Sequence, residues 1–296
     1  RDGESINLTG DVLVLSAGTW AWQRGDVGGV LGIDLDESFR ISQTGDDVTV
    51  EALGETIVYS LAGGFDAIYF EGGAGSDALI VDDSVTVSVY AFGGEGDDRF
   101  ESGANGDVTF YGGAGNDLFV GNTGIDRFIG GTGDDRYEFA DGFGGSDSVE
   151  ELDGEGHDVV DLSNITTGVT VEVGVETTNG ANTIAHLGNF IEEFIATGAD
   201  DTLRVTTGVG GDGFAINSER LRWPDTVVAG VLNEGEVVNY EAFEQIELLA
   251  DNAEVTIDGE LEVLLQFVVR AAAINIEASV DASDISLDIA GGIRVE

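Results

Sequence analysis

The chain has 296 residues, 42% of them apolar, which is enough to bury the core of one large domain or two ordinary ones. Its 58 acidic residues are opposed by only 11 basic ones, all arginine, and the formal net charge of −47 excludes nucleic acid as an expected partner, since phosphates would be repelled. The absence of cysteine excludes disulfides and thiolate metal sites, so any ionic cross-link must use oxygen ligands.

Residues 1–62 are predicted to be a β-rich N-terminal segment that begins or caps a solenoid. Asp11–Leu15 (DVLVL) and Val48–Val50 (VTV) alternate apolar and polar side chains with the period of a strand. Trp20 and Trp22 lie outside any such alternation. They could cover an exposed solenoid end, which we favour, or stack on a sugar ring.

Residues 63–165 contain a nine-residue repeat with glycine at positions one, two and four, aspartate at position six and a large apolar residue at position eight. Four copies match well and a fifth lacks the second glycine: Gly72–Ile80, Gly93–Glu101, Gly112–Val120, Gly130–Glu138 and, less completely, Gly121–Ile129. The frame also holds over Gly103–Tyr111 (GANGDVTFY), and it places Leu79, Phe100, Phe110, Phe119, Phe128 and Tyr137 at position eight. One large apolar side chain per repeat cannot form a core alone, but stacked turns can share one, so the repeat predicts a β-solenoid.

The polar half of the repeat predicts a cation site at each turn. Glycine permits the positive φ and the close backbone approach of a tight turn, which leaves carbonyl oxygens pointing into it. The carboxylate at position six can join these oxygens around one ion. Such hard, irregularly placed ligands suit Ca²⁺, which takes 6–8 oxygens at about 2.3–2.6 Å, better than Mg²⁺, which demands a near-ideal octahedron.

The repeat resembles the nonapeptide G-G-x-G-x-D-x-U-x of the calcium-binding RTX proteins, the repeats-in-toxin or haemolysin-type family. The resemblance implies an all-β fold, a parallel β-roll in which two nonapeptides form one turn. It also implies that calcium lies between successive turns on the same side. Four aspartates separated by 21, 19 and 18 positions should therefore form one column: Asp77, Asp98, Asp117 and Asp135. Asp158 could extend this column.

The opposite edge should hold less metal. Asp126 and Asp147 are expected there, but the frame places Val108 and Ile68 at the earlier equivalent positions. The glycines expected to shape the sites are Gly72, Gly75, Gly94, Gly96, Gly113, Gly115, Gly124, Gly131 and Gly133. Roughly four to six calcium ions are expected in total, mainly along the first edge.

Residues 166–253 are similar to degenerate RTX units and are predicted to continue the solenoid, with Asp200 and Asp201 as weaker ligands. Asn189–Ile195 and Tyr240–Leu248 fit a short helix or a strand. Residues 254–296 contain strand-like pieces without nonapeptides. They could form further coils closed by side-chain packing, or a β-sandwich module.

No catalytic arrangement stands out in the sequence. His157 and His186 belong to no H-E-x-x-H pair and are expected at the surface, and no serine lies in G-x-S-x-G. Paired acids such as Asp97–Asp98 could suggest a glycosidase, but that chemistry needs two carboxylates in a cleft with one pKa raised. Turn acids that are exposed beside calcium would stay ionised, so a non-enzymatic protein is expected. Arg220, Arg222 and Trp223 form a locally basic patch that could contact an acidic neighbour.

These features together predict an extracellular protein, secreted or at the cell surface, that folds on calcium after export. Extracellular calcium modules bind at about 10⁻⁴–10⁻³ M, so the sites would stay empty in the cytosol. The resemblance implies type I secretion and a structural segment of a large RTX-like surface, adhesion or matrix protein, able to self-associate through its ends. Two alternatives stay open: a non-catalytic region of a secreted RTX enzyme or toxin, and a carbohydrate-binding module. No apolar run is long enough for a membrane span.

Overall fold

The structure, a computed structural model, describes residues 11–16, 36–103, 105–151, 156–172, 175–187, 191, 193–197, 199, 201–206, 214–216, 220–222, 227–228, 231–232, 237–241, 245–257, 261–276, 280–289 and 293–295. Its contacts divide the chain into two compact units, an N-terminal unit Arg1–Gly156 and a C-terminal unit His157–Glu296. The predicted four-segment division stays a prediction. Trp20, Trp22, Trp223 and Asp200 lie outside the described residues.

The N-terminal unit is built from strands, and its one described helical element is a 3-10 turn at Leu61–Gly63. Its strands are β1 Asp11–Ser16, β2 Ser38–Thr44, β3 Asp47–Ala52, β4 Glu55–Ser60, β5 Phe65–Ala74, β6 Ala78–Val81, β7 Ser88–Glu95, β8 Arg99–Ser102, β9 Val108–Ala114, β10 Leu118–Gly121, β11 Asp126–Thr132, β12 Arg136–Ala140 and β13 Ser146–Glu150. The predicted all-β class is therefore confirmed. Val85–Val89 (VTVSV) alternates apolar and polar side chains as strands do, but β7 begins only at Ser88.

Strands that alternate along the chain pair in parallel and form two ladders. One ladder runs β1, β5, β7, β9, β11, β13, and the other runs β2, β6, β8, β10, β12. In the second ladder Phe100 lies opposite Phe119, which lies opposite Tyr137. An antiparallel hairpin, β3–β4, follows β2 before the repeats begin.

The residues at position eight form the core of this unit, as predicted. All six of them, from Leu79 to Tyr137, are fully buried. In one ladder, the ring of Phe119 stacks on those of Phe100 and Tyr137, with centroids 5.6 and 5.0 Å apart. In the other ladder, Phe110 stacks on Phe128 with ring centroids 5.9 Å apart. Stacked rings at this spacing add specific attraction to the burial of apolar area.

The C-terminal unit is also made of strands in its described part. They are β14 Val159–Asn164, β15 Thr170–Glu172, β16 Glu176–Asn179, β17 Asn182–Leu187, β18 Glu193–Ile195, β19 Thr202–Thr206, β20 Phe214–Ile216, β21 Arg220–Arg222, β22 Val227–Val228, β23 Val231–Leu232, β24 Val237–Glu241, β25 Gln245–Ile257, β26 Leu261–Ile276, β27 Val280–Ile289 and β28 Ile293–Val295. Both segments that also fitted a helix contain strands instead, at β18 and at β24 and β25.

Parallel pairing recurs in the C-terminal unit, with antiparallel hairpins inserted. The parallel series are β14, β18, β24 and β15, β19, β25, β26, β27. The three long strands at the end pair in parallel, with Gln245 opposite Gln266 at a separation of 21 residues and Gln266 opposite Asp284 at a separation of 18. Each of the two pairs contains one register shift. None of the described residues lies in a helix long and apolar enough to cross a bilayer.

One histidine differs from expectation. His157 is exposed, but His186 is buried on β17, where it contacts Thr177 Oγ1 through Nε2 at 3.0 Å and packs against Phe194. The surface position predicted for His186 is wrong, because the antiparallel β16–β17 hairpin turns that residue toward the apolar interior. Burial lowers the pKa of His186 to about 3, so the imidazole is neutral.

Candidate metal centre

The four aspartates predicted to share one edge form a column in the N-terminal unit. Each lies directly before or at the start of a short strand, and each is buried. The backbone N–H of Asp98 donates to Oδ1 of Asp117 at 2.7 Å, and the N–H groups of Asp77 and Asp117 donate to the next members, Asp98 and Asp135, at the same distance. One carboxylate oxygen of each acceptor thus ties one row of the sheet to the next.

The second carboxylate oxygen of two column members has no such partner. Oδ2 of Asp98 and Oδ2 of Asp117 are inaccessible to solvent and have no hydrogen-bond donor among the described residues. A buried anionic oxygen without a donor or counter-ion is strongly unfavourable. The described residues therefore leave these two oxygens without the donors that a buried carboxylate needs.

Glycine at position one lets a backbone carbonyl approach the same atoms. A Cβ built on Gly112 would overlap Oδ2 of Asp117 and lie 2.6 Å from the carbonyl oxygen of Gly130 in the next row. Gly93 repeats the arrangement with Asp98 and the carbonyl oxygen of Gly112, also at 2.6 Å. Two oxygens with negative charge or partial negative charge thus flank one small volume, an arrangement that can bind a cation.

The remaining glycines have the backbone conformation that the turn requires. The exception is Gly72, at position one of its repeat, which is close to Oδ2 of Asp77 and has no positive φ. The others have φ between +111° and +127°: Gly75, Gly94, Gly96, Gly113, Gly115, Gly124, Gly131 and Gly133. A side chain at these positions would be strained.

Burial makes the ionised form of the column carboxylates unfavourable. Burial raises the pKa of Asp98 to about 7, against the lowering effect of the hydrogen bond from the Asp77 amide. Burial likewise raises the pKa of Asp117 to about 8, and the negative charges of Asp135 and Asp98 add to the increase. A divalent ion next to these carboxylates would supply the attraction that keeps them ionised.

The opposite edge carries one aspartate pair, Asp126 and Asp147. The Asp126 N–H donates to Oδ1 of Asp147 at 2.9 Å, and Oδ2 of Asp147 is buried without a donor among the described residues. Asp126 differs, because it accepts hydrogen bonds from Ser102 Oγ at 3.2 Å and from the Asn122 N–H at 3.4 Å. Burial raises the pKa of Asp126 to about 8 and that of Asp147 to about 7.

Apolar residues precede this pair, as the frame predicted. Val108 lies opposite Asp126, Val89 opposite Val108, and Ile68 opposite Val89. All three apolar side chains are buried. The opposite edge therefore offers carboxylates at a single inter-row position in the described part of this unit.

The paired acids of the repeat have different surroundings. Asp97 and Asp134 are exposed, whereas their neighbours Asp98 and Asp135 are buried. The expectation that the turn acids are exposed is thus wrong at position six, because the turn folds that side chain back under the next row. The exposed residue at position five has a role of its own, since Oδ1 of Asp97 accepts the Asn116 N–H at 2.8 Å.

Sequence reasoning missed the row before the first repeat. The Glu37 N–H donates to Oδ1 of Asp77 at 2.9 Å, and Ser76 N–H donates to Oδ1 of Asp36 at the same distance. Phe39, two positions after Glu37, is buried opposite Leu79. The only sequence feature of this row is the short string Asp36–Phe39 (DESF). The β3–β4 hairpin is inserted between this row and the next, so Glu37 and Asp77 are 40 residues apart and do not fit the spacing of the repeat.

Sequence reasoning also missed Glu151 at the other end of the column. This buried carboxylate accepts a short hydrogen bond from the Tyr137 hydroxyl. One of its oxygens lies within 4.8 Å of an oxygen of Asp135. It stands in none of the nonapeptide frames, so the repeat pattern gave no signal for it.

Two predicted ligands belong to the C-terminal unit. Asp158 is buried directly before β14, and its place at the end of the column stays a prediction. Asp201 is also buried, but protein donors reach both of its oxygens. Oδ1 accepts the Val169 N–H at 2.7 Å, and Oδ2 accepts the Thr197 N–H at 2.9 Å and its hydroxyl at 2.8 Å.

Searches against protein-family models, curated proteins and solved structures found no match to this chain. The resemblance to RTX repeats therefore rests on the nonapeptides themselves.

Proposed function

We propose that the chain is a calcium-binding structural segment of the RTX type, whose aspartate column becomes stable only when divalent ions bridge neighbouring rows. The observation that carries this proposal is the pair of buried Oδ2 atoms of Asp98 and Asp117, each facing a backbone carbonyl of the next row and lacking a donor among the described residues. A cation satisfies both oxygens at once.

The strand pairing supports a β-roll as the scaffold for these sites. Two parallel ladders whose rows advance by 18–21 residues are expected when two nonapeptides make one turn. The parallel series β25, β26 and β27 supports further coils at the C-terminal end. A β-sandwich would instead require antiparallel sheets there.

The ligands favour calcium over other common metals. Carboxylate and carbonyl oxygens suit Ca²⁺, Mg²⁺ and Mn²⁺, and an irregular turn with several carbonyls suits the flexible shell of Ca²⁺ best. Three inter-row positions on one edge involve Asp77, Asp98, Asp117 and Asp135. The Asp126–Asp147 pair provides a fourth on the other edge. The carboxylates would supply charge, and the glycine carbonyls would complete the shell.

Metal dependence would confine folding to the outside of the cell. At submicromolar calcium, sites with affinities of about 10⁻⁴–10⁻³ M are empty, and the formal charge of −47 opposes compaction. Outside, each tenfold excess of calcium over its dissociation constant adds about 1.4 kcal/mol per site. Several coupled sites would thus contribute a free energy comparable to the whole unfolding free energy of an ordinary domain. A secreted, non-catalytic spacer or assembly unit of a surface protein is the function that this behaviour fits.

A calcium titration of the full chain tests the proposal. Starting from protein stripped with EGTA, circular dichroism should show β-structure appearing cooperatively at about 10⁻⁴–10⁻³ M calcium. Isothermal titration calorimetry should give about four sites in the N-terminal unit, and magnesium at the same concentration should bind far more weakly. Retention of the full β signal in excess EGTA, with no calorimetric binding, would exclude a calcium-dependent fold.

A further inference from the structure

A second feature of the molecule is the open edge of the β3–β4 hairpin. β4 pairs antiparallel with β3, and no other described strand pairs with it. Its residues are exposed on both faces apart from Tyr59, which is partly exposed, and its centre is apolar, with Ile57 37% and Val58 57% exposed. An open strand edge with apolar side chains is a template for pairing with another strand.

The direction of the free backbone groups on β4 follows from one hydrogen bond. The Leu61 N–H donates to the Asp46 carbonyl oxygen at 2.6 Å, so residues 46 and 61 form a hydrogen-bonded pair. Such pairs alternate along an antiparallel ladder. Tyr59 and Ile57 therefore bond toward β3, and the N–H and C=O groups of Thr56, Val58 and Ser60 point toward the open edge.

We infer that this edge binds β4 of a second copy of the chain in antiparallel fashion, with a two-fold axis at Val58. A second copy fits because the strand is complementary to itself in that register. Val58 forms a hydrogen-bonded pair with Val58 of the copy, and Thr56 forms one with Ser60 on either side. Every outward backbone group of the three residues then has a partner.

Side chains in this register are complementary as well. Opposed residues share a face, so Ile57 lies opposite Tyr59 of the copy, an aromatic and β-branched pair that stabilises sheets, and threonine lies opposite serine. The one carboxylate of the strand, Glu55, falls outside the three hydrogen-bonded pairs. No carboxylate is thus placed directly opposite another, which matters in a chain with a formal net charge of −47.

The same net charge makes association depend on salt. Two copies repel each other over long distances at low ionic strength, and the screening length falls to about 3 Å at 1 M salt. Sedimentation velocity on the calcium-loaded full chain should therefore show a concentration-dependent dimer in 1 M NaCl that weakens as the salt is lowered.

A lysine on the edge strand should weaken the dimer. Val58→Lys places a charge at the two-fold axis, opposite its own copy, and should weaken dimerisation by about tenfold or more. Val175→Lys is the matched control, because Val175 is 47% exposed in the other unit and belongs to no strand. Equal dimerisation of both variants would overturn the inference, as would a wild-type chain that stays monomeric at all protein and salt concentrations.

Cross-linking tests the register itself and does not depend on a disruptive change. The chain contains no cysteine, so Val58→Cys introduces a single thiol. Paired Cα atoms about 5.5 Å apart are within disulfide range. Mild oxidation should convert Val58→Cys to a covalent dimer much faster than Thr56→Cys, whose thiol would lie roughly four residues, about 13 Å, from its copy. Equal cross-linking rates would exclude this register.

Discussion

The turns at Asp117 and Asp201 each contain a buried aspartate, but the two side chains differ in what surrounds their second carboxylate oxygen. In both, Oδ1 of a buried aspartate accepts a backbone N–H from an earlier row at 2.7 Å. At Asp201 the second oxygen is hydrogen-bonded by Thr197. At Asp117 it faces a glycine carbonyl and has no donor among the described residues. A threonine four residues earlier thus replaces what a cation would do, and metal dependence should follow this difference turn by turn.

Removal of calcium should affect the two turns very differently, and this is the largest effect expected. In EGTA, backbone amides of residues 93–138 should lose most of their protection from hydrogen exchange, because the buried carboxylates repel one another. Amides of residues 169–172, 193–197 and 201–203 should lose far less. Equal loss in both regions would remove the distinction between the turns.

Proton binding should partly replace calcium in the stripped protein. The pKa values of Asp98, Asp117, Asp126 and Asp147 are raised from 3.8 to about 7–8 in the folded chain without metal. A raised folded-state pKa means that the metal-free fold binds more protons than the unfolded chain. The stability that these four groups contribute is then fully present below about pH 4 and is lost as the pH rises through 7–8.

Circular dichroism of EGTA-treated protein should therefore show β-structure increasing as the pH falls from 8 toward about 5.5, a range in which ordinary carboxylates do not titrate. An Asp98→Asn, Asp117→Asn double variant should show a flatter pH profile. If the β signal of the EGTA-treated wild type did not change between pH 8 and about 5.5, the raised pKa values would be contradicted.

Asp117→Asn should change stability in opposite directions with and without calcium. In calcium the variant loses a charged ligand, and affinity should fall by about tenfold or more, about 1.4 kcal/mol. In EGTA at pH 8 it should be more stable than the wild type by about 1–3 kcal/mol, because a neutral amide replaces a buried carboxylate and can donate to the Gly130 carbonyl.

Asp97→Asn is the matched control for this variant, with the same loss of charge one row away. Its side chain is exposed, and an asparagine oxygen can still accept the Asn116 N–H. We expect only a small change in calcium affinity. Equal effects of Asp97→Asn and Asp117→Asn on affinity would indicate that net charge alone controls binding.

Thr197→Val should lower stability by an amount that does not depend on calcium. It removes the hydroxyl that donates to Asp201 and leaves the shape of the side chain nearly unchanged. Unfolding measured by denaturant should show a loss of about 1–3 kcal/mol in the C-terminal unit, with the same value in calcium and in EGTA. A calcium-dependent loss would place a metal at Asp201 after all.

The repeat made much of the N-terminal unit predictable. The position-eight residues from Leu79 to Tyr137 are the buried core, and the aspartates from Asp77 to Asp135 share one column. The poor opposite edge at Val108 was also predicted. Periodicity sufficed because a residue in a repeated turn meets its own equivalent in the next row, so that spacing along the chain fixes the neighbours in space.

Residues outside the frame could not be placed in this way. Glu37 joins the column across a 40-residue gap, Glu151 meets Tyr137 and Asp135, and Thr197 reaches Asp201. The same limit applies to His186, which the antiparallel β16–β17 hairpin buries.

The sequence by itself determined the all-β class, the shared apolar core and which aspartates lie next to one another, because nine-residue periodicity and glycine placement encode local turns and their stacking. Only the tertiary structure decided which carboxylate oxygens are satisfied by protein donors, how deeply position six is buried, and which edge of β4 is open. These properties depend on atoms brought together from distant segments, and whether a donor lies about 3 Å from a buried oxygen is not a property of spacing along the chain.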